Sequence, residues 1–431
     1  MKELFILLIF FIAYAGIVIK REKALYFIYS AVVLFLVFNV IGLSDIWHFI
    51  NYNVLGIFLG TAILSFLFVF SGIPAYMVDK IVEKQHPLWF VYLMVCVITG
   101  VVSSVVENVA TIMIMAPVAL EIARKHNVNP VPLVIGMAVS SNLQGCATMV
   151  GDSPSIILAM ESGMNFNDFF YIPAAKLSLP SGKPGLFFFV QIGMVVSSLV
   201  LYLIFKREKS IMDPLTEEKV IKSFVPLSLI ILMLVSLAFG SFFFNGFRYF
   251  PAVVCLFYAI VGLAWFFIED REERFLLSHI DWESFFILLG IFILVGTLKK
   301  AGFIEDVAVF LQRIAGDNPF VLYNLIVWLS VFISSFVDNI PYTMAMISGI
   351  QILCQRLSLN PYIFLFGLLL GTCIGGNITP VGASCNVVGV GLLKKNGYKV
   401  SFKDFVRIGF PFTVSAVLVS TLLMWLVYNI K

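Results

Sequence analysis

Long apolar runs alternate with short polar stretches along the 431 residues. Ten of the runs approach the roughly 20 residues that an α-helix needs to cross bilayer hydrocarbon. In the first half they are Leu4 to Ile19, Ala24 to Leu43, Val54 to Ile73, Val131 to Met160 and Gly185 to Phe205. In the second half they are Phe224 to Phe244, Pro251 to Ile268, Ser284 to Leu298, Pro361 to Leu393 and Ile408 to Ile430. Two further apolar stretches, Leu88 to Ala123 and Phe320 to Leu353, carry an acidic residue and an asparagine near the middle: Glu107-Asn108 and Asp338-Asn339. Each could be a pair of crossings or a hairpin that enters and leaves by one face. A polar apex favours the hairpin, because irregular backbone at membrane depth survives only where protein or a water-filled cavity satisfies it.

The two stretches are copies of one unit. At an offset of 231 residues, positions 103 to 155 align with 334 to 386 without a gap, and identities include Ser103, Ser104, Asn108, Met113, Asn129, Pro130, Gly145, Thr148, Gly151 and Ser153. Upstream, Ile50-Asn51-Tyr52 and Gly60 match Ile280-Asp281-Trp282 and Gly290 at an offset of 230. Chance likeness between apolar segments does not account for the acidic-Asn, Asn-Pro and Thr-x-x-Gly-x-Ser elements recurring in register. The expected organisation is residues 1–49 as N-terminal helices, 50–205 as repeat one, 206–279 as connecting helices and 280–431 as repeat two.

After each hairpin come Asn-Pro, a helix start and then an interruption: Ser140 to Ser155 in the first repeat and Gly371 to Asn386 in the second. Gly, Pro, Asn and Ser at this density break a spanning helix into two halves. The break leaves free carbonyls at one half-helix end and free N–H groups at the other, ligands for a cation and an anion respectively. Close helix packing is the other use of such glycines. The expected fold is therefore all-α and polytopic: about ten transmembrane helices plus two re-entrant hairpins, with broken helices at the midplane.

Composition agrees, with 61% hydrophobic and 12% charged residues and a mean hydropathy of +1.02. A net charge of +3 is too small to point to nucleic acid. The six cysteines lie in apolar segments without C-x-x-C spacing, and the four histidines fall near segment ends, so no metal or cofactor site is expected. With the amino terminus outside and both hairpins re-entrant, 19 of the 28 Lys and Arg residues face inward, and the halves are inverted. Lys299 and Lys300 fall on the wrong side. Ala13-Tyr14-Ala15 also has the look of a cleavable signal, but cleavage would reverse the charge count, so the first run is expected to remain a crossing.

At Glu107-Asn108-Val109-Ala110-Thr111, Gly145 to Ser155, Asp338-Asn339-Ile340-Pro341, Gly375 to Asn386 and Gly397 to Phe402, the sequence resembles an ion-transporter superfamily. It includes arsenite permeases, D-type Na+/H+ antiporters, the melanosomal P protein, citrate transporters and divalent-anion/Na+ symporters. The resemblance covers roughly residues 20 to 428. It implies a homodimer in the cell membrane, with a scaffold domain and a transport domain, built from both hairpins and both broken helices, that moves like an elevator. Anion symporters of this superfamily carry Ser-Asn-Thr at the hairpin tips. Here Glu107 and Asp338 replace the serines, and Val109 and Ile340 replace the threonines. That departure moves the likeness toward the arsenite-permease and antiporter branch, although Glu107 stands where that branch more often has Asp.

Ionisable groups inside a bilayer mark ion pathways. If the tips meet, Glu107, Asp338 and Asp152 share a poorly solvated volume in which they cannot all stay ionised, so one of them can exchange a proton. Glu107 and Asp338 are the expected coupling residues. The expected ion and substrate site adds Asn108, Thr111, Cys146, Thr148, Gly151, Ser153, Asn339, Thr343, Asn377, Thr379, Gly382, Ser384 and Asn386. No cofactor is expected beyond a coupling H+ or Na+. Partners are expected to be a small inorganic ion or metalloid, the bilayer and a second copy of the chain.

The reading is a proton-coupled secondary transporter, not an enzyme, with arsenite-type efflux slightly ahead of Na+/H+ antiport and a citrate-like symporter third. Helix capping by the two acids is the plainer alternative and is compatible with transport. An intramembrane aspartyl protease would need G-x-G-D where the chain has Met149-Val150-Gly151-Asp152.

Overall fold

The structure is a computed structural model that describes residues 2–20, 23–82, 86–177, 179–206, 220–244, 246–269 and 281–428. It is helical almost throughout. The chain begins with α1 (Lys2–Ile19), α2 (Ala24–Val37) and α3 (Leu43–Phe49), and the first repeat continues with α4 (Tyr52–Phe70), α5 (Ile73–Val82), α6 (Leu88–Ser103), α7 (Asn108–His126), α8 (Val131–Gly145) and α9 (Ser153–Ser162). A short antiparallel pair, β1 (Tyr171–Ile172) with β2 (Lys183–Pro184), flanks α10 (Ala174–Leu177). There follow α11 (Leu186–Phe205), α12 (Val225–Phe243), α13 (Phe250–Glu269), α14 (Trp282–Lys300), α15 (Phe303–Ala315), α16 (Pro319–Ser334), α17 (Asn339–Arg356), α18 (Tyr362–Gly375), α19 (Ser384–Lys395) and α20 (Phe402–Tyr428).

The repeat is visible in the helix ends. α6 and α16 stop at Ser103 and Ser334, α7 and α17 start at Asn108 and Asn339, and α9 and α19 start at Ser153 and Ser384. Both acidic-Asn motifs occupy the turn between two helices, and the runs at Val131 and Pro361 split into half-helices where glycine is dense. α8 and α18 are buried along nearly their whole length, which places the two breaks at the centre of the protein.

Outside this core, α13 packs on α4 and α2 packs on α14. The repeat-related Gly60 and Gly290 have the same task in the two contacts. A Cβ on Gly60 would sit 2.6 Å from the Cys255 backbone, and one on Gly290 would sit 2.2 Å from Ile28. Exposed Leu199, Phe239, Phe257, Ile260 and Leu422 form the apolar exterior expected of a surface in lipid.

Two expectations change. Among the described residues six single helices are long and apolar enough to cross a membrane. The run from Ala24 to Leu43 does not continue as one helix: α2 stops at Val37, and Asn39 takes a left-handed conformation with φ 50°. Apolarity alone hid that stop. The second change is α15, which was not expected. Ile304, Ala308, Leu311 and Ala315 form its buried stripe while Glu305, Asp306 and Arg313 are exposed, and it meets α16 at 120°.

Candidate functional site

Each hairpin tip is built by its acidic residue acting as a helix cap. Glu107 Oε2 accepts a 3.0 Å hydrogen bond from the Ala110 N–H, and Asp338 Oδ1 accepts one of 3.2 Å from the Ile340 N–H. These bonds satisfy first-turn donors that the bilayer would leave orphaned. Both side chains are half-buried. The Glu107 N–H reaches Ser65 Oγ of α4 at 3.2 Å, and Tyr14 Oη of α1 reaches the Asp338 carbonyl at 3.5 Å.

Each tip is fastened to the break of its own repeat. Thr148 Oγ1 donates to the Ser104 carbonyl and Thr379 Oγ1 to the Ser335 carbonyl, both at 2.5 Å. Gly151 and Gly382 let these strands of backbone touch. A Cβ there would lie 2.7 Å from the Ser104 oxygen and 2.8 Å from the Ser335 oxygen. The two threonine hydroxyls therefore hold the turn. Thr111 Oγ1 likewise bonds back to the Glu107 carbonyl at 3.0 Å.

The breaks meet at the pseudo-twofold axis. Asn142 Nδ2 donates to Asn377 Oδ1 at 2.7 Å and to Asn386 Oδ1 at 3.3 Å, while Asn142 Oδ1 accepts from Asn108 Nδ2 at 3.3 Å. Ser103 Oγ closes the chain on Asn108 Oδ1. Asn377 Nδ2 and Asn386 Nδ2 donate to carbonyls of Val139 and Gly376 at 3.0 and 2.9 Å. At the repeat offset Asn142 corresponds to Cys373 and Cys146 to Asn377. The thiols of Cys146 and Cys373 also face each other. One asparagine pair and one cysteine pair thus occupy the two reciprocal contacts that a twofold relation requires.

Asp152 lies beside this centre, next to Cys373 and Asn108, and the charges of both Glu107 and Asp338 reach it. It caps α9 through Oδ1, 2.9 Å from the Ser153 N–H. Its other oxygen, Oδ2, makes no well-formed hydrogen bond, although the Cys373 thiol and the Asn108 amide lie beside the carboxylate, and the residue is only 7% exposed. The repeat-related position is Ala383, so the second break has no such carboxylate. Thr343 Oγ1 is buried and unpartnered. Asn339, Ser153 and Ser384 lie at the first turns of α17, α9 and α19.

The sequence reading missed four contributors: Asn142, Cys373, Ser65 and Asp281, the last lining one cavity with Glu107. Asn142 and Cys373 were legible in principle, since the offset exchanges Asn and Cys between repeats.

Residues 6–353 match the citrate transporter family, CitMHS. The chain belongs to that family. An uncharacterized transporter of Mycobacterium tuberculosis is 29% identical over 403 residues, 90% of each chain. The 46 kDa membrane protein of Mycobacterium leprae is 27% identical over 97% of each. The P protein of Mus musculus is 26% identical over 86% of this chain, which spans 53% of that protein's length. Among solved structures, the YdaH transporter of Alcanivorax borkumensis has a similar fold, with a TM-score of 0.59 at 14% identity over 88% of this chain and 85% of that one. The citrate transporter family is one of those in the superfamily that the tip and break motifs resemble, and the chain is a polytopic membrane transporter.

Proposed function

We propose that this transporter couples the movement of a small carboxylate-bearing anion of the citrate type to cation binding, chiefly of protons, at Asp152 and the tips Glu107 and Asp338. The observation that carries the reading is the Asp152 carboxylate, buried with Oδ2 outside any well-formed hydrogen bond and within reach of the charges of two further carboxylates. An uncompensated carboxylate is costly in such a place, so the group binds a proton or metal cation whenever the site closes. A bare polyanion cannot join three ionised carboxylates. Cation loading therefore precedes anion entry, and that order is the coupling. The amides of Asn108, Asn142, Asn377 and Asn386 hold the two breaks in register, and the free N–H groups of the half-helices supply positive potential for the anion. Elevator motion of α6–α9 with α16–α19 against α4 and α14, a homodimeric assembly and residence in the cell membrane belong to the same proposal.

A second reading, metalloid efflux of the arsenite type, draws support from the facing thiols of Cys146 and Cys373, since trivalent arsenic binds paired thiols. Na+/H+ antiport rests on the same carboxylates without the anion. Purified protein in liposomes with an internal pH dye separates the three. Addition of citrate is expected to acidify the interior. Proton movement on addition of Na+ or Li+ alone would select the antiporter, and movement on addition of arsenite alone the metalloid carrier.

A further inference from the structure

Two cavities occupy equivalent places in the two repeats. The first, about 160 Å³, lies between α4 and α7 and is lined by Ala62, Phe66, Val69, Glu107, Met113 and Asp281 among others. The second, about 190 Å³, lies between α14 and α17 and includes Asn51, Phe292, Gly296, Lys299, Met344 and Ser348. The repeat offsets pair Ala62 with Phe292, Phe66 with Gly296, Val69 with Lys299 and Met113 with Met344, while Asn51 and Asp281 are exchanged between cavities. The cavities therefore correspond at these positions under the pseudo-twofold, while Asp338, the counterpart of Glu107, does not line the second. Each runs beside a hairpin helix at the seam between that hairpin and the surrounding helices.

Their charges are opposite. The first presents the carboxylates of Glu107 and Asp281, and among the described residues that line it none is cationic. The second presents Arg248 and Lys299 against one carboxylate among the described lining residues, Glu161, whose Oε1 accepts a 2.7 Å bond from Asn51 Nδ2. Arg248 also lines an adjoining cavity of about 470 Å³ that includes Lys176. Lys300, next to Lys299, is held by Asp45 at 2.6 Å. Lys299 and Lys300 were the residues that fell on the wrong side of the charge count. The pairing of Lys300 and the place of Lys299 in the cavity wall account for both.

We propose that the cavity at Arg248 and Lys299 is the vestibule through which a carboxylate-bearing anion reaches the carrier, and that its acidic image at Glu107 and Asp281 repels that anion and admits cations. The proposal rests on the anion-carrier reading above. Its physical basis is focusing: low-dielectric walls lined by one sign of charge raise the local concentration of the opposite ion, on the order of tenfold or more. Inverted repeats make two half-pathways of the same shape. Substitution of Val69's counterpart by lysine, and of Asn51's counterpart by aspartate, gives them opposite selectivity.

The test reads access and is separate from transport. Ser348→Cys and Ala62→Cys place one small thiol in each cavity of the full-length protein in proteoliposomes, and the parent chain with its six buried cysteines gives the background. Each variant is treated with an anionic and a cationic methanethiosulfonate reagent, and the rate ratio is normalised to a free thiol in solution. At Ser348→Cys the anionic reagent is expected to be favoured on the order of tenfold. The preference should fall to the solution value with Lys299→Gln and Arg248→Gln, and the order should reverse at Ala62→Cys. Raising salt on the variant that keeps both cations should also collapse the preference, without relying on the neutralised protein to fold. No modification of Ser348→Cys above background, a preference for the cationic reagent there, or a ratio indifferent to both charge and salt would overturn the proposal. A carrier that fails the liposome pH assay can still pass this one, so the two failures are distinguishable.

Discussion

Asn142→Ala removes the amide that joins the repeats. Asn142 is 2% exposed, donates to Asn377 Oδ1 and Asn386 Oδ1, and accepts from Asn108 Nδ2. Asn386 keeps bonds to the Gly376 and Thr379 carbonyls through Nδ2, and Asn108 keeps Ser103 on Oδ1. Asn377 Oδ1 and Asn386 Oδ1 lose the amide donor, the latter keeping the Cys385 thiol at 3.6 Å, and Asn108 Nδ2 loses its acceptor on Asn142. Each stranded buried polar group costs about 1–3 kcal/mol, and interhelical hydrogen bonds in membrane proteins fall toward the low end, near 0.6–1.7 kcal/mol. The expected loss is about 2–4 kcal/mol, including a small cavity. Reversible unfolding in mixed detergent micelles measures it. A double-mutant cycle with Asn377→Ala should return a coupling of about 1 kcal/mol or more. A single-variant loss under about 0.5 kcal/mol, with no coupling, would show that the amides do not join the repeats.

Three further outcomes follow from local geometry. Gly151→Ala would place a Cβ 2.5 Å from the Gly145 carbonyl and 2.7 Å from the Ser104 carbonyl, and is expected to cost about 1–3 kcal/mol in the same unfolding assay. Gly391→Ala in α19 meets nothing within 4 Å and is expected to be neutral or to stabilise by up to about 1 kcal/mol. At the surface, the Lys300 ammonium and then the Gly42 N–H hold the Asp45 carboxyl below its usual range. A carboxylate depressed in this way contributes stability above its unfolded pKa and loses it as pH falls through the folded value. Lys300→Gln should therefore flatten the stability profile below about pH 4, with a small amplitude that salt reduces further, as read by thermal melts across pH.

Much of the fold could be read from residue type and spacing. The Glu107-Asn108 and Asp338-Asn339 motifs sit in helix-helix turns because an acid and an amide satisfy the orphan donors that begin a helix in apolar surroundings. The glycine-rich interruptions became true breaks because Gly151 and Gly382 must let carbonyls of Ser104 and Ser335 approach. What escaped the sequence depends on partners distant along the chain. Thr148 and Thr379 also donate their hydroxyls to backbone carbonyls of the preceding turn, a contact that no local pattern encodes. Asp281 was legible as the repeat counterpart of Asn51, and it caps Ser284 at 2.9 Å, but the fold also sets it in the cavity of Glu107. The Asn39 stop in α2 was hidden because Phe38, Val40 and Ile41 continue the apolar run.

The two repeats are alike in backbone and unlike in charge. Asp152 is matched by Ala383, Val69 by Lys299 and Asn51 by Asp281. Shape is shared because both halves must pack the same hairpin on the same break. Charge is free to differ because the packing of hairpin on break does not depend on it. A transporter with coupled ions of opposite sign needs that freedom.

The central claim is that Asp152 holds the coupling cation, and Asp152→Asn tests it most directly. The substitution keeps an oxygen that can accept from the Ser153 N–H and removes the charge. In liposomes with an internal pH dye, the account predicts a protein that remains folded by thermal melt but no longer moves protons when citrate is added. Proton movement at the parent rate in the folded Asp152→Asn variant would contradict it.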